Sequence, residues 1–67
     1  MISVSINGSA RSFTHPLHLS ELIQEIGLSG KRVALERNGE IVPRSQFPSL
    51  MLADGDVLEI VVAVGGG

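Results

Sequence analysis

The sequence predicts an α+β domain in which one main helix packs across one face of a mixed sheet of four or five strands. Three observations predict it. Segments with a two-residue apolar period open, centre and close the chain. A single segment with helical period lies between them. The dipeptide Asn-Gly, which best accepts a tight hairpin turn, occurs twice, at Asn7-Gly8 and Asn38-Gly39.

The first segment, ISVSI at Ile2–Ile6, alternates apolar and polar residues as a half-buried strand does, and it runs into Asn7-Gly8. A return strand is expected over residues 10–14, ended by Pro16, which has no N–H to donate. From Leu19 the period changes. Leu19, Leu22, Ile23 and Ile26 fall on one face of an amphipathic helix, with Glu21, Gln24 and Glu25 turned to water. Gly27 is its natural stop. The start is expected near His18 or Leu19, because His18 and Glu21 have capping-box spacing, although histidine is an uncommon cap and Ser20 is a good one.

The alternation returns in RVALERNGEIVPR, with Val33 and Leu35 on one side and Ala34 and Glu36 on the other. The strand after Asn38-Gly39 contains Ile41-Val42, and Pro43 makes it short or places it at an edge. SQFPSLM reads as a turn or one loose helical turn with Phe47 and Leu50 tucked beneath. Asp54-Gly55-Asp56 is a turn, and turn chemistry accounts for both aspartates. The last strand, expected over residues 57–64, is the most apolar stretch, which predicts a central position. Its Leu58, Ile60 and Val62 should meet the helix, while Glu59, Val61 and Ala63 look outward, since Glu59 is not a residue to bury without a partner. This order of elements is that of a β-grasp. The expected organisation is one domain over residues 1–64 and a flexible glycine tail over residues 65–67.

Composition narrows the function. A chain of 67 residues has one modest core and buries only about 60% of its unfolded surface, which leaves little room for a large substrate pocket. The net charge is −2, the five Lys/Arg are scattered, and Phe13 and Phe47 are the only aromatics. That excludes a nucleic-acid platform, which needs a basic groove and stacking rings. No apolar run approaches the roughly 18 residues of a membrane span. The absence of cysteine removes disulfides, thiolate metal sites and a thiol nucleophile together. A cytoplasmic location is expected.

Side chains supply little for catalysis. His15 and His18 form H-x-x-H, but a metal site usually needs three or four ligands, and no Cys or Asp/Glu cluster stands nearby; they read as exposed loop histidines. Glu21 and Glu25 lie one helical turn apart on the solvent face, where nothing shields them. One reactive group remains. The α-carboxylate of Gly67 is an anion at neutral pH and becomes an acyl donor only after activation, for example by ATP. Three extended residues reach roughly 10 Å past a strand end, and glycines without Cβ atoms can enter a narrow channel.

The stretches NGEIVPRSQF (residues 38–47), DGDVLEIV (residues 54–61) and the final AVGGG together resemble the thiamin-pathway sulfur carrier family, ubiquitin-like β-grasp proteins of bacterial thiazole biosynthesis. The resemblance covers essentially the whole chain. It implies that an E1-like adenylyltransferase uses ATP to adenylate Gly67, that a sulfur-donor enzyme helps convert it to a thiocarboxylate, and that thiazole synthase receives the sulfur. It implies a protein co-substrate rather than an enzyme, with no cofactor or metal of its own. Gly67 is then the sulfur-bearing residue, Gly66 the other member of the terminal pair, and Gly65 an additional threading residue. Two departures from the family pattern are that third glycine and Phe47, where a tryptophan is common. The outward face of Ala34, Glu36, Glu59, Val61 and Ala63 is expected to contact the adenylyltransferase. The alternatives are the small subunit of molybdopterin synthase, which is usually longer and lacks the VPRSQF-like stretch, another thiocarboxylate carrier or lysine modifier, and a β-grasp module that binds without covalent chemistry.

Overall fold

A computed structural model describes residues 1–63. The strands are β1 (Ile2–Ile6), β2 (Ser9–Phe13), β3 (Val33–Arg37), β4 (Glu40–Val42) and β5 (Val57–Val62), with one helix, α1 (Leu19–Glu25), and a 3-10 turn over Arg44–Gln46. They form a five-stranded sheet in the order β2-β1-β5-β3-β4. Strand β5 pairs parallel with β1 and antiparallel with β3, and the two outer pairs are antiparallel hairpins. The most apolar segment is therefore central, and the short strand before Pro43 is an edge, as the sequence predicts.

Both hairpins turn on Asn-Gly with positive φ at each residue: 51° and 84° at Asn7 and Gly8, 51° and 87° at Asn38 and Gly39. These values belong to the type I′ turn, whose twist matches that of the flanking strands. The two-residue loop places Ser9 directly opposite Ile6. For that reason β2 begins and ends one residue earlier than the expected 10–14. Strand β5 ends at Val62, and Val64 lies outside the described residues.

A seven-residue helix is too short to persist alone, so its stability comes from packing. Leu19, Leu22 and Ile23 of α1 are buried against Ile2, Val4, Ile6, Leu35, Leu58 and Ile60 of the sheet. Val42, Phe47 and Leu52 close the core at one side, and the five largest fully buried side chains are all leucines. The N-terminus of α1 is tied to the segment after the 3-10 turn: the Leu19 N–H donates to the Leu50 carbonyl at 2.9 Å and the Ser20 N–H to the Phe47 carbonyl at 3.1 Å. The C-terminus closes in a Schellman motif, with Leu28 N–H donating to Ile23, Gly27 N–H to Gln24, and Gly27 at φ 80°.

His18 is the N-cap residue rather than a free loop histidine. Its amide donates to Glu21 Oε1 at 2.9 Å, and its Nδ1 lies 2.8 Å from the same oxygen. The backbone hydrogen bond, followed by the contact with the imidazole, holds the Glu21 carboxyl below its ordinary value. The carboxylate also sits in the first turn, where the helix dipole favours negative charge. Glu21 and Glu25 are both exposed, as the sequence predicts, and Glu21 in addition caps the helix. His15 is exposed too, with Nδ1 3.1 Å from Thr14 Oγ1.

Candidate functional site

Strand β5 leads toward Gly65, Gly66 and Gly67, which lie outside the described residues, so the site is built from what holds that strand. Two β1 residues pair with it, Ser5 with Val57 and Ile6 with Leu58. The Asn7 N–H then donates to the Leu58 carbonyl at 2.9 Å. At that point the chain turns away, but the Asn7 side chain continues the ladder in place of backbone. Its Oδ1 accepts the Ile60 N–H at 2.7 Å, and its Nδ2 donates to the Ile60 carbonyl at 3.0 Å. On the other flank β3 follows β5 as far as Val33 opposite Val62, and one more bond runs from the Ala63 N–H to the Arg32 carbonyl at 2.9 Å. The strand is held on both sides up to Ile60 and on the β3 side to Ala63.

Asn7→Gly keeps the left-handed turn and removes both amide bonds. The expected result is a loss of about 1–2 kcal/mol. Hydrogen exchange at the Ile60 amide should accelerate with it, and unchanged protection there would assign the ladder's stability elsewhere.

At the other end of β5, Asp56 is 5% exposed. Its Oδ1 accepts from Asn38 Nδ2 at 3.1 Å, and its Oδ2 accepts from the Ala53 N–H at 2.8 Å and from Arg37 Nε at 3.0 Å. Asn38 in turn accepts the Val57 N–H on Oδ1 at 2.9 Å and donates its own N–H to the Val57 carbonyl at 2.8 Å. Turn chemistry therefore does not account for both aspartates. Asp54 is exposed, and its Oδ1 reaches across to β1, accepting the Ser3 N–H at 2.7 Å. Asp56 is a buried ion-pair partner that joins the β3-β4 turn to the start of β5.

The open side of the sheet brings the outward-facing residues together. Ala34 stands opposite Val61 and Glu36 opposite Glu59. Ala63 follows them and is exposed. Two residues that the sequence reading omitted join this face. Ile41 lies directly across from Glu36 on β4, and Val57 precedes Glu59 by one strand period. Ile41, Val61 and Val57 are 69%, 63% and 51% exposed, so the face carries an apolar patch around its two carboxylates. The signal was present in the Asn38-Gly39 turn, which fixes Arg37 opposite Glu40 and hence Glu36 opposite Ile41.

Among the described residues no group of three or more His, Cys, Asp or Glu is placed to hold a metal ion. Nor is any helix among them long and apolar enough to cross a membrane.

Comparison with known proteins adds an independent line. The model of the ThiS family matches residues 4–67. The sulfur carrier protein ThiS of Bacillus subtilis is 41% identical over 49 residues, covering 73% of this chain and 74% of that protein. A thiazole synthase of Paramagnetospirillum magneticum is 45% identical over 62 residues, which is 92% of this chain but only 19% of that longer protein. In fold, the chain is similar to the crystal structure of a thiamine biosynthesis protein (ThiS) from Geobacter metallireducens, with a TM-score of 0.83, 28% identity, and coverage of 98% of this chain and 100% of that one.

Proposed function

The chain belongs to the ThiS family of sulfur carrier proteins in thiamine biosynthesis, and from that premise we propose that the α-carboxylate of Gly67 is the group that carries the sulfur. In this reading a carboxylate oxygen attacks the α-phosphorus of ATP in the active site of an E1-like adenylyltransferase, and pyrophosphate leaves. Sulfide released by a sulfur-donor enzyme then attacks the acyl carbon; the C–S bond forms as the C–O bond to AMP breaks, AMP leaves, and the product is a thiocarboxylate. The thiocarboxylate gives its sulfur to the thiazole of thiamin on thiazole synthase. ATP belongs to the partner, and this chain acts as a protein co-substrate without a cofactor of its own.

The observation that carries the reading is the anchoring of β5. A strand bonded on both sides to Ile60 and on one side to Ala63 gives the residues beyond it a fixed point of departure. Fixing the approach matters because a reacting carboxylate must arrive in near-attack geometry. The glycines Gly65 and Gly66 supply backbone without side-chain bulk, and with no cysteine in the chain no internal thiol competes for the acyl-adenylate. The thiazole synthases that contain a segment similar to this chain support thiazole synthase as the acceptor enzyme.

We place the adenylyltransferase on the open face, over Ala34, Glu36, Glu59, Val61 and Ala63, with Ile41 and Val57 extending the contact. The same patch supports a second reading, a module that docks through its sheet and does no covalent chemistry.

Intact mass after incubation with the adenylyltransferase, ATP and a sulfur donor separates the two. The expected result is the exchange of one oxygen for one sulfur, confined to the C-terminal peptide. An unchanged mass with an enzyme shown to be active would leave the non-covalent module standing.

A further inference from the structure

The register of β3 and β5 places two carboxylates against each other. Glu36 and Glu59 are directly opposed on neighbouring strands in the middle of the sheet. The Asn38 N–H donates to the Val57 carbonyl and the Ala63 N–H to the Arg32 carbonyl. Because antiparallel bonding alternates, these two bonds make Glu36 and Glu59 a hydrogen-bonded pair, with Cα atoms roughly 5.5 Å apart. Like charges directly opposed across strands are destabilising.

Nothing among the described residues offsets the pair. The ion pairs there are His18–Glu21 and Arg37–Asp56, so Arg37, the neighbour of Glu36, is engaged on the other side of the sheet. Arg11 stands opposite Val4, a core residue, and so points to the helix side as well. Lys31 and Arg44 line a groove beside α1. Arg32 precedes Glu36 by four residues, roughly 13 Å along an extended strand. The fold therefore keeps two unpaired carboxylates at the centre of an exposed patch bordered by Ile41, Val57 and Val61.

We infer that Glu36 and Glu59 together form a receptor for one guanidinium, an arginine presented between apolar side chains by the enzyme that adenylates the tail. The inference rests on the carrier reading and adds the chemistry of the contact to it. An arginine suits the pair better than a lysine does. Its planar fork offers five N–H donors and can serve two carboxylates at once, while its weakly hydrated face lies comfortably over valine and isoleucine. Repulsion retained in the free carrier becomes attraction when the partner arrives, which favours the complex over the free state and steers the encounter.

The test is the double variant Glu36→Gln/Glu59→Gln, which keeps shape and removes both charges. Two measurements are read side by side, the melting temperature of the free carrier and its Kd for the adenylyltransferase by calorimetric titration. The expected results have opposite signs. The free variant should melt about 2–5 °C higher as the repulsion is relieved. Its Kd should weaken about tenfold, its KM for adenylation should rise with kcat held, and the salt dependence of binding should flatten.

A simple structural role for the two glutamates would move the melting temperature and leave Kd and its salt dependence alone. Equal affinity of the variant and a wild-type chain that is adenylated overturns this inference only. A wild-type chain that the active enzyme neither binds nor adenylates overturns the carrier reading and this one with it.

Discussion

Asp56→Ala should lower the melting temperature by roughly 15 °C, equivalent to about 3 kcal/mol for a domain of this size. The reason is what the substitution leaves behind. Three donors converge on the carboxylate, from Arg37, Asn38 and Ala53, and the residue itself is 5% exposed. Truncation takes the shared acceptor from all three in partly buried surroundings, and the cost of donors left without a partner there exceeds the net value of the bonds themselves. The Arg37 side chain is 24% exposed and regains part of its hydration, which keeps the effect at the lower end of the range for a broken buried ion pair. A small domain with a total stability of roughly 3–10 kcal/mol would then be only marginally folded. Asp56→Asn preserves shape and one acceptor and should fall between the two. Calorimetric melts of all three proteins provide the check; a loss below about 1 kcal/mol for alanine would mean that the network is only peripheral to stability.

Deletion of Gly67 should abolish sulfur loading while the fold stays intact. The shortened chain still ends in a carboxylate, but one drawn back by about 3.5 Å. Misplacing a reacting group by even about 1 Å can cost a hundredfold in rate, so adenylation of the deletion variant should fall at least that far. Removing a terminal residue beyond the strand should leave the melting temperature within about 1 °C of the parent. Pyrophosphate exchange with the adenylyltransferase measures the first effect and calorimetry the second. Full exchange activity in the truncated chain would place the chemistry away from Gly67.

Much of the fold is legible in the sequence because its signals are local. The alternation of Ile2–Ile6, the helical spacing of Leu19, Leu22 and Ile23, and the two Asn-Gly dipeptides each speak for a segment by themselves. The central place of β5 follows from its apolar character, because a strand covered by neighbours on both edges and by α1 needs few polar residues. What escaped the reading depends on pairing between distant segments. Asp56 reads as one more turn residue until Asn38 and Arg37 are brought to it across the sheet. Ile41 and Val57 read as ordinary strand residues until their register exposes them beside Glu36 and Glu59. His18 was legible by its spacing from Glu21, but its residue type argued against a cap, and only the geometry resolves that conflict. The candidate chemistry at Gly67 rests on a backbone group, which no side-chain pattern marks.

The two turn asparagines also set how this protein ages. Asparagine before glycine is the sequence most prone to lose its side-chain amide, because the following backbone nitrogen can close on the amide carbon and form a cyclic imide. Here the Asn7 amide is bound to Ile60 and the Asn38 amide to Val57 and Asp56. Ring closure has to wait until those bonds open, so the folded chain shields its own weakest chemical links. Once the imide opens to aspartate, an oxygen replaces the donor that faced the Ile60 carbonyl, and that end of the sheet is left with two acceptors in contact. The slow appearance of aspartate at position 7 or 38 in a stored sample is thus a clock, and what it counts is how often each turn lets go of β5.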